Sequence, residues 1–329
     1  MTSLSPNMPS VSVSRRWRDR ALMAGLVALV GVGLAGLASV TGWEESLTQI
    51  ARLHPGQIAV LLALSLLNYL LRGLRWHLLA RRLGLPTRLM QDLRHYIGGF
   101  ALSVTPGRLG EFVRMRWIRR ETGWPVALSA PLALMDRATD LAVMGLLLAL
   151  SLALAAGGLT GALPVTAFAF ATAVVATRPR LLAALVTLGY RVFGRLPRLF
   201  GRARQAARAL SRFHHAPTLA FALTLGFAGW LAEGYAFHLL LGFLGAEIGL
   251  WKAVAIFIFA TLAGGLTGAP GGMGGAEAAM LTLLTLEGVA LEIALPATAV
   301  IRLTTLWFSI ALGLLVFPLA ERAAAGPAR

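Results

Sequence analysis

Apolar runs of membrane-spanning length constrain this chain more than any other feature. The runs at 21–40 and 56–79 reach the ~20 residues that a helix needs to cross about 30 Å of hydrocarbon. They lack the alternation of a membrane β-barrel, so helices are the remaining spanning structure. Because charged residues make up only 13% of the chain, too few to cover a soluble surface, the sequence predicts an all-α polytopic membrane protein.

The distribution of charge predicts the orientation of the chain. The formal net charge is +16, which in a soluble protein would indicate nucleic-acid binding. Here the arginines lie in short segments between apolar runs, as in loops retained on the cytoplasmic side. We therefore expect a bacterial inner-membrane protein with no nucleic-acid partner. Residues 1–20 are expected to be a basic cytoplasmic N-terminus, and the C-terminus is expected on the same side.

The segment 178–216 contains nine arginines and no acidic residue. A cytoplasmic amphipathic segment bound to headgroups explains this composition, and a specific sensor of anionic lipids is the alternative. The chain has no cysteine, which excludes disulfides, thiolate metal sites and cysteine nucleophiles. No metal or cofactor is expected.

Two shorter apolar segments end in Pro-Gly breaks. Only about 13 mostly apolar residues at 92–104 precede the break at Thr105-Pro106-Gly107, too few to cross a bilayer. The following sequence EFVRMRWIRR is basic, so the chain is predicted to return to the side that it left. The run at 251–266 precedes a second break, and the sequence after it carries acids and no base up to Pro296. Each break predicts a re-entrant hairpin.

The two breaks belong to an internal repeat. The motif PGRLGE at 106–111 aligns with PGGMGGAE at 270–277, and Arg137 and Arg302 follow the final glutamates of the two motifs by 26 and 25 residues. Basic residues flank the first hairpin and acidic residues the second, which predicts opposite orientations in the membrane.

The predicted organisation is one transmembrane domain, 21–329, with repeat one at about 56–156 and repeat two at about 217–319. A span at about 159–176 is predicted after repeat one, and the last span of repeat two is predicted from Pro296 to Leu319. Irregular backbone at membrane depth is tolerated only where protein or a water-filled cavity surrounds it. Broken segments that meet near the midplane form the substrate sites of many transporters. We therefore expect both Pro-Gly breaks to line a cavity.

Ionisable residues inside the predicted spans need partners and are usually functional. Asn68 and Arg72 share one helix face. The alternative is a helix end whose arginines extend to the inner headgroups, which applies to Arg75 more than to Arg72. The spacing of the DRATD segment at 136–140 allows its arginine to be held between its two aspartates. A purely structural ion cluster is the alternative to a substrate site.

The planar fork of arginine suits phosphate, and helix N-termini attract anions. No residue is assigned as catalytic. The candidate residues for substrate binding or translocation are Asn68, Arg72, Arg75, Thr105, Pro106, Gly107, Arg108, Gly110, Glu111, Asp136, Arg137, Asp140, Pro270, Gly271, Gly272, Gly274, Glu277 and Arg302.

Three motifs resemble a known family. TPGRLGE at 105–111, DRxxD at 136–140 and PGGMGxxE at 270–277 are similar to the flippase-like transmembrane region of the lysylphosphatidylglycerol synthase family. The resemblance covers about residues 56–319 and implies movement of lipids, such as aminoacylated phosphatidylglycerol, between leaflets. Glutamate is expected where Asp136 stands. Since the sequence ends at Arg329, we expect a stand-alone region without the soluble synthase domain.

Three functions follow as hypotheses. The first is a lipid flippase or transporter that moves an anionic or lipid-linked headgroup. The second is a membrane-embedded transferase acting on a lipid, for example a glycosyltransferase, with Glu111 or Asp136 as general base. The third is a non-catalytic partner of a lipid-biosynthetic enzyme of the envelope.

Overall fold

The computed structural model describes residues 53–105, 109–155 and 215–326, together with Thr48, Ala51 and Phe213. Within these ranges all regular structure is helical. The predicted N-terminal segment 1–20, the predicted spans at 21–40 and 159–176, and nearly all of the basic segment 178–216 lie outside the described residues. The same holds for Pro106, Gly107 and Arg108 at the first break.

The described ranges contain nine α-helices, two 3-10 turns and one π-helical turn. In order they are α1 (Pro55–Leu83), α2 (Leu89–Gly98), a 3-10 turn (Gly99–Leu102), α3 (Leu109–Thr122), α4 (Val126–Leu154), α5 (Ala216–Phe243), α6 (Leu250–Leu266), a 3-10 turn (Pro270–Gly272), α7 (Gly275–Leu286), α8 (Leu291–Arg302), a π-helical turn (Leu303–Trp307) and α9 (Phe308–Ala324).

Four stretches of the described chain are long and apolar enough to cross a membrane. They are α1, Leu128–Leu154 of α4, α5, and the continuous helix Leu291–Ala324 that joins α8 to α9. The helices α2, α3, α6 and α7 contain only 10 to 17 residues each. At about 1.5 Å per residue each is shorter than the about 30 Å of hydrocarbon. One 3-10 turn lies between α2 and α3, and another lies between α6 and α7.

Matching residues end the first long helix of each half. Gly84 terminates α1 with φ 88°, and Gly245 follows α5 with φ 85°. Glycine is favoured at such left-handed positions because it has no Cβ. Leu83-Gly84 and Leu244-Gly245 thus each lie where a long helix ends.

The last spanning helix begins earlier than its sequence pattern predicts. A start at Pro296 is wrong, because α8 begins at Leu291 and contains Pro296 at its sixth position. Proline removes one backbone hydrogen bond there, and the helix continues past it. Pro131 occupies the same position in α4, and each proline precedes the arginine of its helix, Arg137 or Arg302, by six residues.

Small residues bring α1 and α5 together at the centre of the bundle. A Cβ at Gly229 would lie 2.5 Å from Asn68 Oδ1, and one at Gly226 would lie 2.8 Å from Arg75 Nη1. Small residues at such contacts let two helix backbones approach closely within a membrane. This approach places the polar face of α1 inside the protein rather than toward lipid.

Candidate substrate cavity

A cavity of about 590 Å³ lies among α1, α3, α4, α5, α6 and the π-helical turn, and both 3-10 turns contribute to its wall. Its wall mixes apolar and aromatic side chains with buried charges. The charged residues of the wall are Arg72, Glu111, Arg114, Arg137, Asp140, Glu233 and Arg302.

Two arginines of α1 meet two aspartates of α4 on one side of the cavity. Arg72 Nη2 lies 2.7 Å from Asp140 Oδ2, and Arg75 Nη2 lies 2.5 Å from Asp136 Oδ1 and 2.8 Å from Asp140 Oδ1. Arg75 is 0% exposed, so the alternative in which it extends to the headgroups is wrong. The paired carboxylates one turn apart on α4 offset the cost of burying both guanidinium groups.

Trp230 of α5 supports this cluster. Its Nε1 donates a hydrogen bond of 3.1 Å to Asp140 Oδ1, and the Arg72 guanidinium lies over its ring at 4.8 Å from the centroid. The indole therefore contacts both members of an ion pair in the cavity wall.

The arginine of the DRATD segment has a different main partner from the one that its spacing indicates. Arg137 Nε donates to Glu111 Oε1 at 2.5 Å, whereas its Nη1 lies 3.8 Å from Asp140. Asp136 faces Arg75 instead, so Arg137 is not held between the two aspartates. Adjacent residues of a helix point about 100° apart, and α1 occupies the side that Asp136 faces.

The second half repeats the contact between an arginine and a broken segment. Arg302 Nε donates to Glu277 Oε1 at 2.6 Å, and its Nη2 donates to the carbonyl oxygen of Gly271 at 2.8 Å. Gly271 has φ 62°, a conformation that glycine adopts readily. Arg302 thus joins α8 to both the 3-10 turn and the first turn of α7.

The far ends of the two short-helix pairs also carry ion pairs. Arg94 of α2 lies 2.8 Å from Glu121 of α3, and Lys252 of α6 lies 2.6 Å from Glu287, the residue after α7. Each pair of short helices is therefore joined by one ion pair at its end and bound by an arginine of the following helix near its break.

Glu121 is held by several donors at the end of α3. His95 Nε2 lies 3.0 Å from its carboxylate, and Gln91 Nε2 also donates to it. Burial raises the pKa of the Glu121 carboxyl, but the contacts with His95, Gln91 and Arg94 outweigh burial and hold this pKa below its ordinary value. The carboxylate is therefore the stable form that joins α2 to α3.

The structure brings only part of the predicted site to the cavity wall. The predicted residues in the wall are Arg72, Gly110, Glu111, Arg137, Asp140, Gly271 and Arg302. Outside it lie Asn68, Arg75, Thr105, Asp136, Gly272, Gly274 and Glu277, and Pro270 begins the second 3-10 turn. Glu277 contacts Arg302 of the wall, whereas Asp136 pairs with Arg75, which in turn contacts Asp140 of the wall. In the described part of the chain, no group of three or more His, Asp or Glu side chains could hold a metal ion.

The sequence interpretation missed several polar and aromatic residues of the wall, among them Tyr69, Arg114, Trp230 and Glu233. Glu233 is the one acid between residues 216 and 243, and a lone acid within a span is itself a signal of function. Arg114 follows Gly110 by four residues, so helical periodicity places it on the cavity face of α3. It was grouped instead with the cytoplasmic charges of the EFVRMRWIRR segment.

Comparison with known families extends the motif resemblance over most of the chain. The model of a family described as the lysylphosphatidylglycerol synthase TM region matches residues 22–313. The chain belongs to this family. The resemblance drawn from its three motifs is therefore confirmed, and the match includes every residue of the cavity wall.

One relative matches a smaller part of the protein. The chain is 30% identical over 100 residues to a UPF0104 membrane protein of Methanothermobacter thermautotrophicus. This match spans 30% of the present chain and 30% of that protein.

Proposed function

We propose that this protein moves an anionic phospholipid or a lipid-linked headgroup between the leaflets of a membrane. The observation that carries the proposal is the charged cavity, whose wall contains residues from both broken segments, Gly110 of the first and Gly271 of the second. Broken helices that meet around a cavity provide the substrate sites of many transporters.

The proposal treats the two short-helix pairs as re-entrant hairpins of inverted repeats. In support, the pair α2–α3 and the pair α6–α7 have three features in common. Each contains a 3-10 turn between its helices, an ion pair that joins the two helices, and a glutamate near the break that binds an arginine of the following helix. Basic residues end α3, whereas Glu287 and Glu292 follow α7. The first hairpin would then enter from the cytoplasm and the second from outside, and both chain ends would be cytoplasmic.

The size and chemistry of the cavity suit a polar headgroup. Its volume of about 590 Å³ is within the common range for small-molecule sites, about 300–1,000 Å³. Its arginines provide planar donors for phosphate. In this mechanism the headgroup crosses inside the cavity while the acyl chains remain in the lipid.

The pair of Arg137 and Glu111 provides an exchangeable contact. Their side chains are 34% and 23% exposed, compared with 10% and 6% for Arg72 and Asp140. In the empty protein Glu111 neutralises Arg137. An entering phosphate would replace Glu111 as the partner of Arg137, and its departure would restore the ion pair.

The direct test is translocation in liposomes. The full-length protein would be reconstituted with phosphatidylglycerol that carries a fluorophore on its acyl chain, and dithionite added outside would bleach the outer leaflet. We expect continued loss of fluorescence beyond the outer-leaflet fraction, because inner-leaflet lipid is brought outward. Bleaching that stops at the outer-leaflet fraction, for this probe and for a polyprenyl-phosphate probe, would contradict the proposal.

Two substitutions test the charged contacts during transport. Arg137→Ala and Glu277→Gln are each expected to slow translocation on the order of tenfold, about the value of one lost charge-assisted hydrogen bond. The control is Arg82→Gln, which changes an exposed arginine in the last turn of α1. Equal rates for all three variants and the unmodified protein would remove these residues from the site.

A further inference from the structure

Arg114 differs from the other arginines in the cavity wall. Arg72, Arg137 and Arg302 each lie within 4.0 Å of a carboxylate. In the described part of the chain, no carboxylate lies that close to Arg114, which is only 3% exposed. Burying a cation without a counter-charge costs free energy. An anionic ligand at Arg114 would recover part of that cost.

Aromatic rings and one carbonyl group surround the Arg114 guanidinium. Its Cζ lies 4.1 Å from the ring centroid of Tyr96 and 5.4 Å from that of Trp76. Its Nη2 donates to the carbonyl oxygen of Tyr96 at 2.9 Å, whereas Nε and Nη1 have no hydrogen-bond partner among the described residues. Cation–π contacts recover only about 0.5–2 kcal/mol, and most N–H donors of the group remain unused.

Two glycines let the Arg114 side chain and α3 pack directly against the backbone of the first 3-10 turn. A Cβ at Gly99 would lie 2.3 Å from Arg114 Nε, and a Cβ at Gly110 would lie 2.3 Å from the carbonyl oxygen of Gly99. Both glycines line the cavity together with Arg114. The first 3-10 turn and α3 thus approach closely, and they hold the unpaired guanidinium of Arg114 at the cavity wall.

We infer that Arg114 binds the phosphate of the transported lipid headgroup, an assignment that rests on the proposed function. An anion gains most from a cation that no carboxylate has already neutralised, and burial strengthens the interaction further. The three paired arginines must first exchange a carboxylate for the phosphate, whereas Arg114 needs no exchange. Arg114 therefore supplies the resting affinity for the headgroup, and Arg137 joins when Glu111 is displaced.

The inference is tested by equilibrium binding to the full-length protein in neutral detergent, measured by calorimetry. The three probes are dihexanoyl phosphatidylglycerol, dihexanoylglycerol, which has the same chains without phosphate, and inorganic phosphate. We expect phosphatidylglycerol to bind and dihexanoylglycerol to bind at least about tenfold more weakly, since a lost charged hydrogen bond corresponds to that factor. Binding of inorganic phosphate alone would overturn the assignment to a lipid headgroup.

The matched variants are Arg114→Gln and Arg119→Gln. The second changes an exposed arginine of the same helix. Arg114→Gln is expected to weaken phosphatidylglycerol binding at least about tenfold, whereas Arg119→Gln is expected to leave it unchanged. Unchanged binding by a monodisperse Arg114→Gln protein would overturn the inference.

A second variant covers the case in which Arg114→Gln does not fold. Arg114→Lys keeps the charge but loses the planar fork, so binding should weaken by about three- to tenfold. Unchanged binding in this variant would contradict phosphate recognition by the guanidinium.

Because binding is measured without transport, phosphate-dependent binding in a protein that moves no lipid would contradict the proposed function alone. Lipid movement with unchanged Arg114→Gln binding would contradict this inference alone.

Discussion

Arg75 and Asp136 lie behind the cavity wall, where neither contacts the space that a substrate would enter. Their side chains are 0% and 2% exposed, and the guanidinium also contacts Asp140. Removing one partner of such a pair leaves an unpaired buried charge. This lowers the stability of the protein much more than replacing both partners does. We therefore assign them a role in holding α1 against α4, distinct from the exchangeable role of Arg137.

The structural role of this pair predicts a pattern of stabilities. Asp136→Ala is expected to lower the stability of the protein by about 3 kcal/mol, and the double variant Arg75→Met with Asp136→Leu is expected to recover most of that loss. Thermal unfolding in detergent measures the stability of both variants, with the loss of monodisperse protein on heating as the readout. Glu247→Ala, at an exposed site, is the control. A single variant as stable as this control would contradict the structural role.

The identity of the ion-pair partners could not be read from residue spacing. The sequence correctly indicated buried arginines and aspartates in α1 and α4, because charges inside a span need partners. Which carboxylate faces which guanidinium depends on how two helices cross, as with Asp136 and Arg75. The environment of Arg114 likewise depends on the distant ring of Trp76 and was outside the reach of spacing alone.

At the scale of elements, the short-helix pairs depend on close backbone contacts. In the second pair, a Cβ at Gly264 of α6 would lie 2.7 Å from the Ala276 Cβ of α7 and 2.9 Å from the carbonyl oxygen of Gly272. In the first pair, Gly110 makes the corresponding approach to Gly99. Both contacts involve backbone, which cannot move aside as a flexible side chain can.

These contacts predict opposite effects for two glycine substitutions in helices. Gly264→Ala should destabilise the protein by about 1–3 kcal/mol because the added methyl group overpacks α6 against α7. Gly242→Ala in α5 meets nothing within 4 Å, so it should leave stability unchanged or raise it by up to about 1 kcal/mol. Thermal unfolding compares the two. Equal stability of both variants would contradict the tight packing of the second pair.

At the scale of the whole molecule, hydrophobic run length and the second Pro-Gly break, which begins a 3-10 turn at Pro270, were the reliable signals. The run predicted at 56–79 corresponds to α1 at Pro55–Leu83, and the run at 251–266 corresponds to α6 at Leu250–Leu266. Proline was a misleading boundary at Pro296, because a long apolar helix continues through a single lost hydrogen bond. The sequence predicted a cavity at the breaks, but most residues of its wall could not be predicted, since the wall forms only when both halves pack together.

The central claim is that the two hairpins enter the membrane from opposite faces and meet around the charged cavity. The chain contains no cysteine, so single cysteines at Arg119 and Glu292, both exposed, can be labelled with a membrane-impermeant maleimide in sealed vesicles of each orientation. The account predicts that Arg119→Cys reacts only from the cytoplasmic face and Glu292→Cys only from the opposite face. Labelling of both positions from the same face would contradict the inverted arrangement and the lipid-moving mechanism built on it.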